Sequence, residues 1–350
     1  MKATQLNENQ EFEYVEIDEP ECQPGWVKVK VHATGVCGSD THKIEFGWKY
    51  DLPAVMGHEI AGEVIEVGEG VTRVKVGERV IVPPLIPDFS CQYCEQGLYG
   101  LCENYKMIGT HYIGGFAEKL VAPETNILPI GDMDYEDAVL IEPFAVSMHS
   151  VMNMDVELGD TAVVLGIGAI GIFTIEALLL AGCKNVIAVD INDDKLEVAK
   201  QYGASYGINS IKEDLEAKVK EYTNGLGADI VMECAGTPIT QEQALVLAKK
   251  RGKVGYTGIG YRDVLLHERH FESIFRHELT LKGFWNSYSA PFPGKEWTNL
   301  IAYINQGRVN LEGMITHRYP LNKVDEAFKM MLSREETFNK VIILPQEEKN

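Results

Sequence analysis

Thr161-Ala162-Val163-Val164-Leu165-Gly166-Ile167-Gly168-Ala169-Ile170-Gly171 decides the architecture of this 350-residue chain. Its first five residues read as a buried strand, and the G-x-G-x-x-G that follows reads as a tight turn into a helix ending near Gly182. Asp190 closes the next apolar run, Asn185–Asp190, 24 residues after Gly166. Strand, glycine turn, helix and an acidic residue ending the second strand are the context a dinucleotide-binding βαβ unit requires. Gly166, Gly168 and Gly171, with Ala169 and Ile170 between them, let backbone N–H groups approach a pyrophosphate at the positive end of the helix. Asp190 is expected to accept hydrogen bonds from ribose hydroxyls and to repel a 2′-phosphate, which predicts NAD over NADP. Lys195, five residues further on, completes the expected cofactor-binding set.

Working outward, strands are expected at Ser205–Ile208, Ala228–Glu233, Lys253–Thr257 and Leu279–Trp285. Helices are expected between them at Asp194–Tyr202, Glu213–Tyr222 and Thr240–Lys250, and alternation repeated this often implies a parallel, doubly wound sheet. Upstream, residues 1–145 are rich in Gly and Val, with alternating runs such as Trp26–Val31 and Arg79–Val82 that read as strands between glycine turns. Downstream, helices at Trp297–Asn305 and Val324–Leu332 and a strand at Lys340–Leu344 are expected to return to the first domain.

Composition narrows the function classes. The chain is 45% hydrophobic and 24% charged, ordinary for a globular protein and long enough for two domains. No apolar run approaches the roughly 18 residues of a membrane span, and Met1–Glu8 has no apolar core for a signal peptide, so a cytoplasmic protein without a membrane partner is expected. A net charge of -20 argues against nucleic acid, whose polyanionic backbone needs a Lys/Arg surface. A small anionic substrate needs only one or two local cations and stays open. Seven cysteines, an odd number with three clustered, favour metal ligands or free thiols over a disulfide framework.

Three segments carry metal-ligating residue types: Gly35–Asp40 with Cys37, Gly57–Gly62 with His58 and Glu59, and Leu140–Pro143 with Glu142. A thiolate, an imidazole and a carboxylate around an open fourth position make a catalytic rather than a structural zinc site. Such a zinc acts as a Lewis acid on a hydroxyl whose carbon gives hydride to the nicotinamide. Ser39, two residues after Cys37, is the candidate first group of a proton relay. A second group follows: Asp88, Cys91 and Cys94, then Cys102 after seven intervening residues.

Gly57-His58-Glu59-Ile60-Ala61-Gly62, continuing through Gly68 to Val71, fits the string G-H-E-x2-G-x5-G-x2-V. With Val76–Val80 and Gly114–Glu118, it makes nearly the whole chain resemble the zinc-containing medium-chain dehydrogenases. The resemblance implies an α/β protein with a GroES-like β-rich catalytic domain, residues 1–150 and 286–350, and an inserted Rossmann domain, residues 151–285. It implies that Cys37 and His58 are catalytic zinc ligands, and that Glu142 stands where alcohol dehydrogenases of the family carry a second cysteine and polyol dehydrogenases a glutamate. Glu59 is then either a resting-state ligand or a nearby base that exchanges with water. It implies a structural zinc lobe too, in which Asp88 replaces the first of four cysteines; a carboxylate oxygen is an acceptable zinc ligand.

Glu142 points to the polyol branch, and the stretch Lys282–Trp297, with Pro84–Pro87, looks like the corresponding segments of galactitol-1-phosphate dehydrogenases. The expected reaction is oxidation of a secondary alcohol of a polyol phosphate, with a free polyol (sorbitol or xylitol type) or threonine as alternatives. Lys43, Lys49 and His111 are the candidate cations for a phosphate, and Trp285 and Asn286 complete the candidate substrate set; Trp48 and Tyr50 line the pocket or fill core. A non-catalytic NAD-binding relative would have lost a metal ligand or a fingerprint glycine, and this chain has lost neither. Strand Leu279–Trp285 at a sheet edge would pair with another subunit, giving a homodimer or homotetramer.

Overall fold

The computed structural model describes residues 1–333 and 335–347. The chain divides into two compact units, Met1–Glu142 with Tyr288–Asn350, and Pro143–Ser287.

In the first unit, β1 (Lys2–Leu6) pairs antiparallel with β2 (Phe12–Glu16), and β3 (Trp26–Val36) is the spine of the main sheet. Val27, Val29, Val31 and Ala33 point inward while Lys28 and Lys30 point out, the alternation a half-buried strand requires. α1 (Gly38–Glu45) starts directly after β3, and β4 (Glu59–Val67) runs back antiparallel beside it. β5 (Arg79–Ile81) continues the sheet; β6 (Leu85–Ile86) and β7 (Lys106–Met107) form a small separate ladder. β8 (Lys119–Pro123) pairs with the first half of β3, β9 (Leu128–Pro129) with β5, and α2 (Tyr135–Ala138) precedes α3 (Ile141–Met152), whose residues from Pro143 on belong to the second unit.

The second unit is a six-stranded parallel sheet: β10 (Thr161–Leu165), β11 (Asn185–Asp190), β12 (Tyr206–Asn209), β13 (Ala228–Glu233), β14 (Ala248–Tyr256) and β15 (Thr280–Gly283). The spatial order β12-β11-β10-β13-β14-β15 reverses direction at β10, the doubly wound arrangement whose crevice takes a nucleotide at the strands' carboxyl ends. The connecting helices are α4 (Ala169–Ala181), α5 (Asp193–Gln201), α6 (Leu215–Tyr222), α7 (Pro238–Leu247) and α8 (Glu268–Arg276).

The remaining elements belong to the first unit: α9 (Lys295–Asn305), β16 (Ile315–Pro320), α10 (Val324–Ser333) and β17 (Lys340–Leu344). β17 is buried along its whole length and lies antiparallel to the end of β3, Val341 opposite Val36. Among the described residues no helix is long and apolar enough to cross a membrane.

Several elements differ from the sequence expectation, which has no helix at α1, α2 or α3; two in the second unit are instructive. The helix expected over Thr240–Lys250 stops at Leu247, and Ala248 already pairs with Ala228 of β13. Lys249 and Lys250 are good helix formers, so ladder pairing and the Lys249–Asp229 ion pair override propensity here. α8 was not expected at all, because only Ser273 of its nine residues is buried and its period-3.6 apolar residues Phe271 and Phe275 remain exposed.

Candidate metal and nucleotide sites

Register places the first cluster. Gly35 of β3 lies opposite Glu59 of β4, so residues just past the end of β3 meet those at the start of β4. Cys37 occupies the first position, His58 and Glu59 the second, and one ligand atom from each falls within 4.8 Å of the others. Gly35 makes the room: a Cβ there would sit 1.7 Å from Glu59 Oε2, so a larger residue would displace the carboxylate.

Each donor is braced. Cys37 caps α1, its Sγ accepting from the Ser39 amide at 3.4 Å and the Ser39 hydroxyl at 3.2 Å. His58 Nδ1 lies 3.4 Å from Asp40 Oδ2, a charge pairing without a hydrogen bond. Asp40 is wholly buried and also takes Lys43 Nζ at 3.1 Å; against its burial, His58 and Lys43 hold its carboxyl below the usual range. Lys340, at the start of β17, donates to both Glu59 oxygens at 2.6 and 2.7 Å and is itself only 4% exposed.

Glu142, in the first turn of α3, is pushed up to about 8, by burial first and then by Glu59 and Cys37, although His58 and Lys340 oppose the shift. Burial followed by Glu59 and Asp40 likewise pushes the Cys37 thiol up. A thiol, an imidazole and a carboxylate, with Cys37 and the Glu142 carboxyl both pushed up by burial and by neighbouring negative charge, are a donor set that a divalent cation would relieve, and the set fits zinc.

The second cluster, Asp88, Cys91, Cys94 and Cys102, also keeps its ligand atoms within 4.8 Å. Asp88 Oδ1 accepts from the amides of Ser90 at 2.8 Å and Cys91 at 3.0 Å, and Oδ2 from the Asn104 side chain at 2.7 Å. The Asn104 amide and those backbone N–H groups hold the Asp88 carboxyl well below the carboxylate range. Burial, then hydrogen bonding with Cys102, Cys91 and Asp88, raises the Cys94 thiol to about 12. None of the seven cysteines is in a disulfide. Three sulfurs and one ionised oxygen again fit zinc, in a closed site. Phe89, Tyr99 and Phe292 pack edge-to-face around this lobe, with ring centroids 5.3 to 5.5 Å apart.

In the second unit the glycine turn has the shape its sequence requires. Gly166 has φ +89°, and a Cβ on Gly171 would lie 2.0 Å from Gly166 O, so α4 could not approach the turn with any side chain there. Gly168 caps α4 and has open space above it. Asp190 ends β11 with Oδ2 accepting from the Ile167 amide at 2.8 Å and Oδ1 from Ile191 and Asn192 at 2.7 and 3.0 Å. Lys195 lies in α5, its ammonium disfavoured by burial and favoured by Asp190.

Residues 23–132 match the alcohol dehydrogenase GroES-like domain family and residues 169–306 the zinc-binding dehydrogenase family. The chain is 32% identical to galactitol 1-phosphate 5-dehydrogenase of Escherichia coli (strain K12) over 323 residues, covering 91% of this chain and 92% of that one. It belongs to the zinc-binding alcohol dehydrogenase family. A sorbitol dehydrogenase of Halalkalibacterium halodurans is likewise 32% identical, over 99% of both chains. The crystal structure of galactitol-1-phosphate dehydrogenase from Escherichia coli superposes with a TM-score of 0.93 at 31% identity, covering 99% of this chain and 100% of that one.

This zinc-binding dehydrogenase gives its other candidate residues varied surroundings. Lys43 is turned inward to Asp40 and sits 5.8 Å from the Trp48 ring centre. Lys49 is exposed and forms no ion pair among the described residues. His111 takes the Met107 amide on Nδ1 at 3.1 Å and meets Tyr50 edge-on at 5.6 Å, while Tyr50 packs on the buried Trp48. Trp285 is half exposed and Asn286 has a left-handed backbone, φ 58°. Asp40 and Lys340 were not singled out from the sequence. Lys340 is 281 positions from Glu59, and only the β17–β3 pairing brings it there.

Proposed function

We propose that this dehydrogenase oxidises a secondary alcohol of a polyol phosphate resembling galactitol 1-phosphate to the ketose phosphate, with NAD as acceptor. The observation that carries the reading is the Cys37–His58–Glu59 cluster, with Glu142 pushed up by burial and by the charges of Glu59 and Cys37. Cys37, His58 and Glu142, with Glu59 in reserve, would hold a zinc that would supply Lewis acidity to the substrate hydroxyl, and NAD would supply the hydride acceptor.

The chain's own residues have distinct tasks in this reading. Asp40, 3.4 Å from His58 Nδ1, favours the ring's proton on that side by its charge. Lys340 holds the Glu59 carboxylate through two hydrogen bonds. The Ser39 hydroxyl, now donating to Cys37 Sγ, is the group placed to pass on the alcohol proton. Asp190, fixed by three backbone amides, presents a carboxylate to the adenosine ribose and so favours NAD over NADP. Asp88, Cys91, Cys94 and Cys102 hold a second, structural zinc. β15 is a sheet edge with Leu281 exposed, and we assign it to pairing between subunits of a homodimer or homotetramer.

The phosphate rests on the likeness of Lys282–Trp297 and of the whole chain to galactitol-1-phosphate dehydrogenases, and on Lys49, whose charge no carboxylate in the described residues neutralises. Initial rates of NADH formation decide the substrate. Galactitol 1-phosphate and glucitol 6-phosphate would be run beside galactitol, glucitol, xylitol and threonine. A kcat/KM at least tenfold higher for a phosphorylated member is expected; a preference for a free polyol or threonine would overturn the phosphate reading.

A further inference from the structure

A third group of metal-binding side chains lies in the second unit, away from every residue used above. Glu242 is in α7; His267 and His270 bracket the start of α8 with H-x2-H spacing. One ligand atom from each falls within 4.8 Å of the others. Glu242 Oε1 is 2.7 Å from His267 Nδ1 and 3.0 Å from His270 Nδ1.

Capping explains only part of this arrangement. His267 is the N-cap of α8 and makes no side-chain cap, so Glu242 Oε1 accepts its backbone N–H at 2.7 Å. His270 adds a second ring: its Nδ1 is buried and faces the same oxygen at 3.0 Å as an ion pair, without hydrogen-bond geometry. A buried ring nitrogen without a hydrogen bond is costly unless something else takes its lone pair. Donors around a tetrahedral zinc stand roughly 3.3 Å apart, so the carboxylate oxygen needs to part from each ring nitrogen by only a few tenths of an ångström, and the two rings have ligand atoms within 4.8 Å. His267 is 67% exposed on its side chain, which gives an ion a way in and leaves water to complete the coordination.

We propose that Glu242, His267 and His270 bind one divalent transition-metal ion of the zinc class, clamping α7 to the start of α8. Two imidazoles and a carboxylate suit Zn²⁺, Ni²⁺ or Cu²⁺ over Mg²⁺ or Ca²⁺. The ion would close the connection of residues 257–267 between β14 and α8. That connection leaves the carboxyl end of the sheet, where a Cβ on Gly236 would meet Ile259 O at 2.4 Å and one on Gly166 would meet Ala235. The clamp therefore steadies a loop layered on the glycine turn.

Calorimetric titration of the zinc-loaded enzyme with Zn²⁺ tests this, alongside Cu²⁺ electron paramagnetic resonance on the same protein. The wild type is expected to take up one further Zn²⁺ per chain, and its Cu²⁺ spectrum to show two nitrogen ligands. His270→Ala and Glu242→Gln, the latter keeping an oxygen for the His267 amide, are each expected to weaken that site at least tenfold, with the rate in the absence of added metal unchanged. The double variant His267→Ala/His270→Ala is expected to lose the site. No further uptake by the wild type, or uptake undiminished in the double variant, would overturn the proposal and leave Glu242 as a helix cap.

Discussion

The two metal-binding candidates of the first unit use similar donors and are braced in opposite ways. Around Cys37, His58 and Glu59 the braces are charged side chains: Asp40 on His58, Lys43 on Asp40, Lys340 on Glu59. Two of those pairs join segments distant in the chain. Around Asp88, Cys91, Cys94 and Cys102 the braces are backbone amides and one Asn side chain, all between residues 88 and 104. Side-chain ion pairs leave carboxylates able to change partner, as Glu59 could if Lys340 released it. Backbone amides fix a carboxylate in one place. The first arrangement suits a centre that exchanges ligands during turnover and the second one that never opens.

Substitutions sharpen that contrast in decreasing order of effect on turnover. Cys37→Ser removes a donor of the exchanging site and is expected to lower kcat/KM at least about a thousandfold with little change in Tm. Asp40→Ala removes the brace from His58 and the partner from Lys43. It is expected to weaken retention of one zinc by about 10–100-fold, read by competition with a chelating dye. Cys102→Ser should behave in the opposite way, with kcat within about threefold of wild type but Tm lower by roughly 5–10 °C, because a closed zinc site contributes folding energy. A Cys102→Ser enzyme of normal Tm and lost activity would break the contrast.

The sequence was most informative where a segment's structure is set by its own residues. β10, β11, β13 and β17 have the bounds read from their apolar runs, because each is a short buried strand closed by Gly, Asp, Glu or Pro. The metal-binding residue types were likewise visible, since Cys37, His58 and the Asp88–Cys102 lobe carry motif spacings. Their braces were not. Asp40 reads as an ordinary acidic residue in the first turn of a helix, and Lys340 as the polar start of a final strand. Their roles come from β-pairing between distant segments, and no local pattern encodes that register. The lysine at 43 shows the same limit from the other side: its spacing from Cys37 suggested a free cation, and the fold gives it a buried partner. Tyr288 and Phe292, in the stretch that suggested the substrate, pack together with rings 5.7 Å apart, and Phe292 braces the metal lobe.

The central claim is that turnover depends on metal at the Cys37–His58–Glu142 centre and not on the lobe. It is tested most directly by removing zinc stepwise with a chelator and measuring, on each sample, zinc per chain, initial rate and Tm. The expected result is a rate that falls to background with the loss of one zinc per chain and returns when Zn²⁺ is added back, while the lobe's zinc and most of the Tm persist. Undiminished turnover after all zinc has been removed would contradict it.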